Sequence, residues 1–125
     1  MPFTDCKSTL GALLLLIALC ITPTAFAHTH LLQTTPAADS TASRVNELRL
    51  GFSEGVEAKF SQVTITSTGG ASVAVDSIAS DPNDAKILIV TPRQPLAPGH
   101  YQVHWKAVSV DTHKSAGDYR FTVGQ

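Results

Sequence analysis

An all-β fold follows from three features of the chain from residue 28 onward. Apolar and polar residues alternate in short runs, turn-forming residues separate those runs at short intervals, and no segment carries the periodicity of a long helix. Leu31-Leu32 begin the pattern as a first strand. In Glu47 to Phe52 the side chains of Leu48, Leu50 and Phe52 point one way, and Val63 and Ile65 do the same in Gln62 to Thr66. Gly69-Gly70 supplies a turn before Ala71 to Val75, and Asp81-Pro82-Asn83-Asp84 supplies another before Lys86 to Val90. Pro95, Pro98 and Gly99 punctuate the chain ahead of the clearest strand, His100 to Ala107. There Tyr101, Val103, Trp105 and Ala107 face inward, and His100, Gln102, His104 and Lys106 face out. Tyr119, Phe121 and Val123 form the last strand. Seven short strands fit two packed antiparallel sheets, an immunoglobulin-like sandwich or Greek-key β-barrel. Thr34 to Ser43, rich in Thr, Ser and Ala, reads as a surface connection.

The first residues obey a different logic. Leu10 to Ile21, LGALLLLIALCI, is an apolar run too short for a bilayer, which takes roughly 20 residues, and of the right length for a signal-peptide core. Lys7 and the amino terminus precede it, and Ala25-Phe26-Ala27 gives the small-x-small cleavage pattern. A cleaved secretory leader over residues 1–27, cut after Ala27, is expected. Lipidation at Cys20 fits poorly, because Leu19 stands where a small residue is required. Removing 27 of the 125 residues leaves 98, one domain's length. Both cysteines, Cys6 and Cys20, and the only methionine, Met1, go with the leader. An exported domain without sulfur is the expectation, with no disulfide and no membrane insertion after processing.

The net charge of the whole chain is −1, and the leader's Asp5 and Lys7 cancel, so processing leaves it unchanged. That balance excludes the basic stripe of a nucleic-acid binder and electrostatic docking on an anionic membrane.

Five histidines, His28, His30, His100, His104 and His113, supply the chemistry. Cleavage after Ala27 makes His28 the first residue, with an α-amine of pKa about 7.7–8.0 beside its imidazole. One residue then offers two nitrogen ligands in a chelate ring. Asp111 and His113 lie two apart, a spacing that in an extended strand puts both on one face with Cα atoms roughly 6–7 Å apart. D-x-H alone also describes a strand-end loop with a surface histidine. Together, His28, Asp111 and His113 give three nitrogens and an oxygen, a set that suits tetragonal Cu(II); zinc prefers a tetrahedral array, and Cu(I) wants sulfur. A competing mode uses the amine, two backbone amides and the imidazole of His30 as a square-planar chelate. Both modes need the same amine. His100 and His104, roughly 13 Å apart along a strand, cannot share an ion directly, and Trp105 between them reads as a core aromatic.

These residues carry a resemblance. His28-Thr29-His30-Leu31, Phe52-Ser53-Glu54-Gly55-Val56-Glu57, Leu96 to Trp105 (LAPGHYQVHW) and Val108 to Gly117 (VSVDTHKSAG) followed by Tyr119-Arg120-Phe121 are similar to the CopC family of periplasmic copper-binding proteins, in particular its short YobA-type members. The resemblance spans residues 28–125. It implies a seven-stranded Greek-key β-barrel holding one Cu(II) per chain through the amine and imidazole of His28 with Asp111 and His113. It also implies a role in sequestering or delivering copper for homeostasis or resistance, without catalytic turnover, beside a CopD-type inner-membrane copper protein. Two departures stand out. The Met-rich Cu(I) loop of some members has no counterpart after the leader, and the usual glycine between Asp and His is Thr112. Two other classes share features of the sequence. A terminal histidine paired with a second one is also the copper arrangement of oxidative polysaccharide-cleaving mono-oxygenases, but 98 residues with one Trp and two Tyr offer little substrate platform. A metal-free sandwich that binds another protein is the third class, and it predicts no copper signal and no effect of His113→Ala on metal content.

Overall fold

The computed structural model describes residues 29–125. The leader, its cleavage point and His28 lie outside the described residues. Eight strands follow one another: β1 (Leu31–Thr35), β2 (Thr41–Ala42), β3 (Leu48–Phe52), β4 (Gln62–Ser67), β5 (Val75–Asp81), β6 (Asp84–Pro92), β7 (Gly99–Val108) and β8 (Lys114–Val123). A single 3-10 turn, Ala58–Phe60, lies between β3 and β4. One sheet runs β1-β3-β6-β5 and the other β2-β8-β7-β4. Neighbours are antiparallel except β2, which runs parallel to β8. The chain changes sheet at every connection but two, the β5–β6 and β7–β8 hairpins.

The all-β sandwich expected from the alternation is the observed fold, with eight strands and not seven. The additional strand, β2, is two residues long and sits inside the stretch read as a surface connection, where Thr41 and Ala42 pair with Thr122 and Val123. Two residues cannot display a period. The expected strand over Ala71–Val75 is displaced: Ser72 makes only an isolated bridge to Thr66, and regular pairing starts at Val75. Its partner causes the shift. Leu88 and Val90 of β6 are buried, and β6 pairs with Val75–Asp81, placing Ile78 opposite Val90. At the β5–β6 turn the Asn83 amide donates to Asp81 (2.8 Å). That bond, together with the Arg49 guanidinium bonded to the same carboxylate, holds the Asp81 carboxyl below its ordinary range.

The core lies between the sheets. Leu48, Leu50 and Phe52 from β3 and Leu88 and Val90 from β6 face Val63 and Ile65 from β4, with the inward residues of β7 and β8 completing it. Tyr101 stacks on Phe121 at 5.6 Å, and Trp105 meets Phe52 edge-on at 5.2 Å. Trp105 and Gly117 are cross-strand partners. A Cβ at residue 117 would come within 2.7 Å of the indole, so the glycine is the space the ring occupies. Gly117→Ala is therefore expected to displace Trp105 and lower stability by about 1–3 kcal/mol, the usual cost of overpacking, measurable by urea denaturation.

Candidate metal centre

Asp111 and His113 lie in the loop that joins β7 to β8. The ladder ends at the pair Val108 and Lys114, and the chain then turns through Ser109–His113. Ser109 organises this turn. Its N–H donates to the His113 carbonyl (2.9 Å), its carbonyl accepts from Thr112 N–H (2.9 Å), and its hydroxyl accepts from His113 N–H (3.1 Å). Its side chain is fully buried. The D-x-H segment is thus a tight hairpin loop and not the extended strand that would place both side chains on one sheet face. Asp111 and His113 are both exposed, within one turn whose backbone is pinned at both ends.

Ser109 and His113 close the turn around Val110, Asp111 and Thr112, and three-residue loops of this kind end with a residue in the left-handed region, a position that favours glycine. Thr112 occupies it, with φ 67°. Its hydroxyl donates to the Asp111 carbonyl (2.6 Å), a local bond that offsets part of the strain. Left-handed backbone costs a side-chain-bearing residue roughly 1–2 kcal/mol, and glycine returns roughly 0.5–1 as lost chain freedom. Thr112→Gly should accordingly raise stability by up to about 1 kcal/mol, seen as an upward shift in melting temperature.

The first described residues are tied to Ser53 and Glu54. The Thr29 hydroxyl donates to Glu54 Oε1 (2.9 Å), and Thr29 is only 2% exposed. His30 is tied to Ser53 twice: its N–H donates to the Ser53 hydroxyl (2.9 Å), and its carbonyl accepts from Ser53 N–H (2.8 Å). Gly55, which follows Glu54, accepts through its carbonyl from Val110 N–H (3.0 Å). Ser53-Glu54-Gly55 therefore grips Thr29 and His30 with two residues and the D-x-H loop with the third. An added Cβ at Gly55 would press on Val110 at 3.2 Å, so the approach is close.

Thr29, the neighbour of His28, and Val110, the neighbour of Asp111, are in this way fastened to adjacent residues. Asp111 and His113 come together in one loop, while His28 is outside the described residues. Among the described residues, no three His, Cys, Asp or Glu side chains converge on a common ion position. The competing chelate through His30 would take the His30 amide nitrogen as a ligand, and that N–H is engaged with Ser53. His100 and His104 stand on the outward face of the second sheet, as their spacing requires. Ser53, Glu54, Gly55 and Ser109 had no assigned role in the reading of individual residues. Their work is to hold segments more than twenty residues away in sequence or to shape a turn, and no local pattern signals either.

The geometry defines a class: a small two-sheet β-sandwich with nitrogen and oxygen donors in an anchored hairpin loop, fastened to the same three-residue segment as the first described residues. The CopC domain model matches residues 31–124, and the chain belongs to the CopC family. It is 39% identical over 113 residues to protein YobA of Escherichia coli K12, covering 90% of this chain and 91% of YobA. It is 38% identical over 105 residues to copper resistance protein C of Escherichia coli, covering 79% of this chain and 83% of that protein. The crystal structure of PcoC, a methionine-rich copper resistance protein from Escherichia coli, is 39% identical and superposes with a TM-score of 0.70 over 78% of this chain and 99% of PcoC. PcoC is methionine-rich, whereas this chain has one methionine, Met1.

Removing the anchor should be measurable. Glu54→Ala leaves the buried Thr29 hydroxyl without its acceptor, an expected loss of about 1–3 kcal/mol in urea denaturation. Thr29→Val on that background should recover part of it, since replacing both partners of a buried hydrogen bond costs less than orphaning one.

Proposed function

We propose that residues 28–125 are a single periplasmic domain that binds one Cu(II) and sequesters or delivers it, without catalytic turnover, after a leader is cleaved behind Ala27. His28 contributes its new α-amine and its imidazole, His113 a third nitrogen and Asp111 an oxygen. The observation that carries this reading is the grip of Ser53-Glu54-Gly55 on both segments, with Thr29 on Glu54 and Val110 on Gly55. A residue joined to Thr29 starts from a fixed point next to the loop that bears Asp111 and His113. Membership of the CopC family and relatives named for copper resistance support copper as the cargo.

The donor set supports the oxidation state. Nitrogen and carboxylate ligands suit Cu(II), which also heads the affinity order of the divalent first-row metals. Cu(I) favours thiolate or thioether, and residues 28–125 contain neither. Binding displaces the proton of the α-amine, so affinity rises with pH until the amine is fully deprotonated. Delivery fits an acceptor of the CopD type in the inner membrane, which the exposed loop can approach directly.

The test is a Cu(II) titration of the processed protein, followed by electron paramagnetic resonance. One tightly held ion with nitrogen-rich parameters is expected. Asp111→Ala and His113→Ala should each weaken it at least about tenfold, and one extra residue before His28 should abolish the tight signal. Affinity that survives the extension would remove the α-amine from the ligand set. Mass spectrometry of the exported protein should give His28 as the first residue.

A further inference from the structure

An open sheet ends in strands whose outer N–H and C=O groups lack a partner, and such edges invite pairing with another chain unless they are blunted. The edge strands here are β1 and β5 in one sheet and β2 and β4 in the other. β1 and β5 carry register irregularities, between Leu31 and Gln33 in one and at Val75–Ser77 and Ser80–Asp81 in the other. Along β4 lies the segment Ala71–Val73, with Ser67 N–H on the Ala71 carbonyl and Val73 N–H on the Ile65 carbonyl (both 2.9 Å). The β2 edge is different. That strand covers only the end of β8, at Thr122 and Val123, and the Asp39 N–H adds one bond to the Arg120 carbonyl (2.7 Å). From Lys114 to Tyr119 no described residue pairs with this side of β8, and the ladder to β7 runs there without a bulge.

The groups on that side follow from the strand's own alternation. The Arg120 carbonyl and the Thr122 N–H both point towards the β2 side, where they meet Asp39 and Ser40. In an antiparallel ladder every second residue turns its N–H and C=O the same way, so those of Lys114, Ala116 and Asp118 also point away from β7. The side chains of these residues are exposed. We infer that this edge pairs with the same edge of a second copy of the chain, antiparallel about a two-fold axis at Ala116.

Charge selects both the occupant and the register. A two-fold contact sets residue i opposite j and j opposite i. Centred on Ala116, it brings Lys114 opposite the partner's Asp118 and Asp118 opposite the partner's Lys114, an ion pair at each end, while the free N–H and C=O groups of all three residues meet their complements. Asp118 already accepts His104 Nδ1 on Oδ1 (2.6 Å), which leaves Oδ2 for the lysine. On the inner row Ser115 falls opposite the partner's Gly117, so no bulky side chain enters the groove that this edge lines with Thr29–Leu31 and Trp105. The neighbouring register, centred on Gly117, sets Lys114 against the partner's Arg120 and needs the Arg120 carbonyl that Asp39 already holds. His113 lies three residues from the axis, so the two D-x-H loops stand roughly 20 Å apart along the strands and each keeps its own donors. The pairing therefore requires no copper.

Sedimentation equilibrium of the processed protein, metal-free and again with Cu(II), tests the pairing. A reversible monomer–dimer equilibrium is expected in both, weakening as salt rises. Lys114→Glu and Asp118→Lys each place like charges opposite one another at both ends and should weaken the dimer at least about tenfold. An equimolar mixture of these two variants, or one chain carrying both substitutions, should restore it. Ala116→Pro removes an N–H that the β7–β8 ladder does not use, so the monomer keeps its circular dichroism spectrum while the dimer is lost. A monomer at every concentration from micromolar to millimolar, a dimer indifferent to Ala116→Pro, or a mixture no better than either charge variant alone overturns the assignment. So does a dimer that needs Cu(II) and vanishes with His113→Ala, since that pair is bridged by metal.

Discussion

The pairing of β7 with β8 is the constraint on which the rest of the molecule depends. The two strands run antiparallel over all ten residues of each, from Gly99 opposite Val123 to Val108 opposite Lys114. A strand has two faces, and a shift of one residue would exchange them. The inward face holds Tyr101, Val103, Trp105 and Ala107 against Tyr119, Phe121 and Val123, and the cost of exposing those residues fixes the register. With the register fixed, the position of every outward residue and the length of the closing loop are also fixed. The D-x-H loop is short because the ladder continues up to it.

What could be read from the sequence divides along the same lines. The alternation in His100–Ala107 gave the correct inward and outward sets, because both faces of that strand have strong and opposite hydration preferences. The first half of β8, Lys114–Asp118, carries Lys, Ser, Ala, Gly and Asp, which are weak strand formers with no apolar alternation, and only its partner makes it a strand. β5 is a similar case, a polar segment recruited by β6. Local composition decides where a strand can form, and the neighbouring strand decides where it does form.

The candidate centre was legible as chemistry more than as shape. His28, Asp111 and His113 stand out by residue type, and the resemblance to the CopC family tied them together. The conformation between Asp111 and His113 was not legible, since the two-residue spacing fits a strand and a tight turn equally. The fully buried Ser109 and the left-handed Thr112 select the turn. Nor does any local signal connect Thr29 with Glu54 across 25 residues. That contact arises because β1 and β3 are neighbours in one sheet, a fact of topology.

The glycine beneath Trp105 has a practical consequence. By leaving room for the indole, Gly117 lets the ring line a groove of about 560 Å³ that Thr29–Leu31 and the start of β8 also line. Trp105 is the only tryptophan in the chain. The protein therefore carries one intrinsic fluorophore, nearly buried, which shares a groove with Thr29–Leu31 and has its neighbour His104 on the outer face. Its emission energy is a direct optical readout of how tightly that segment is seated, obtained without a label.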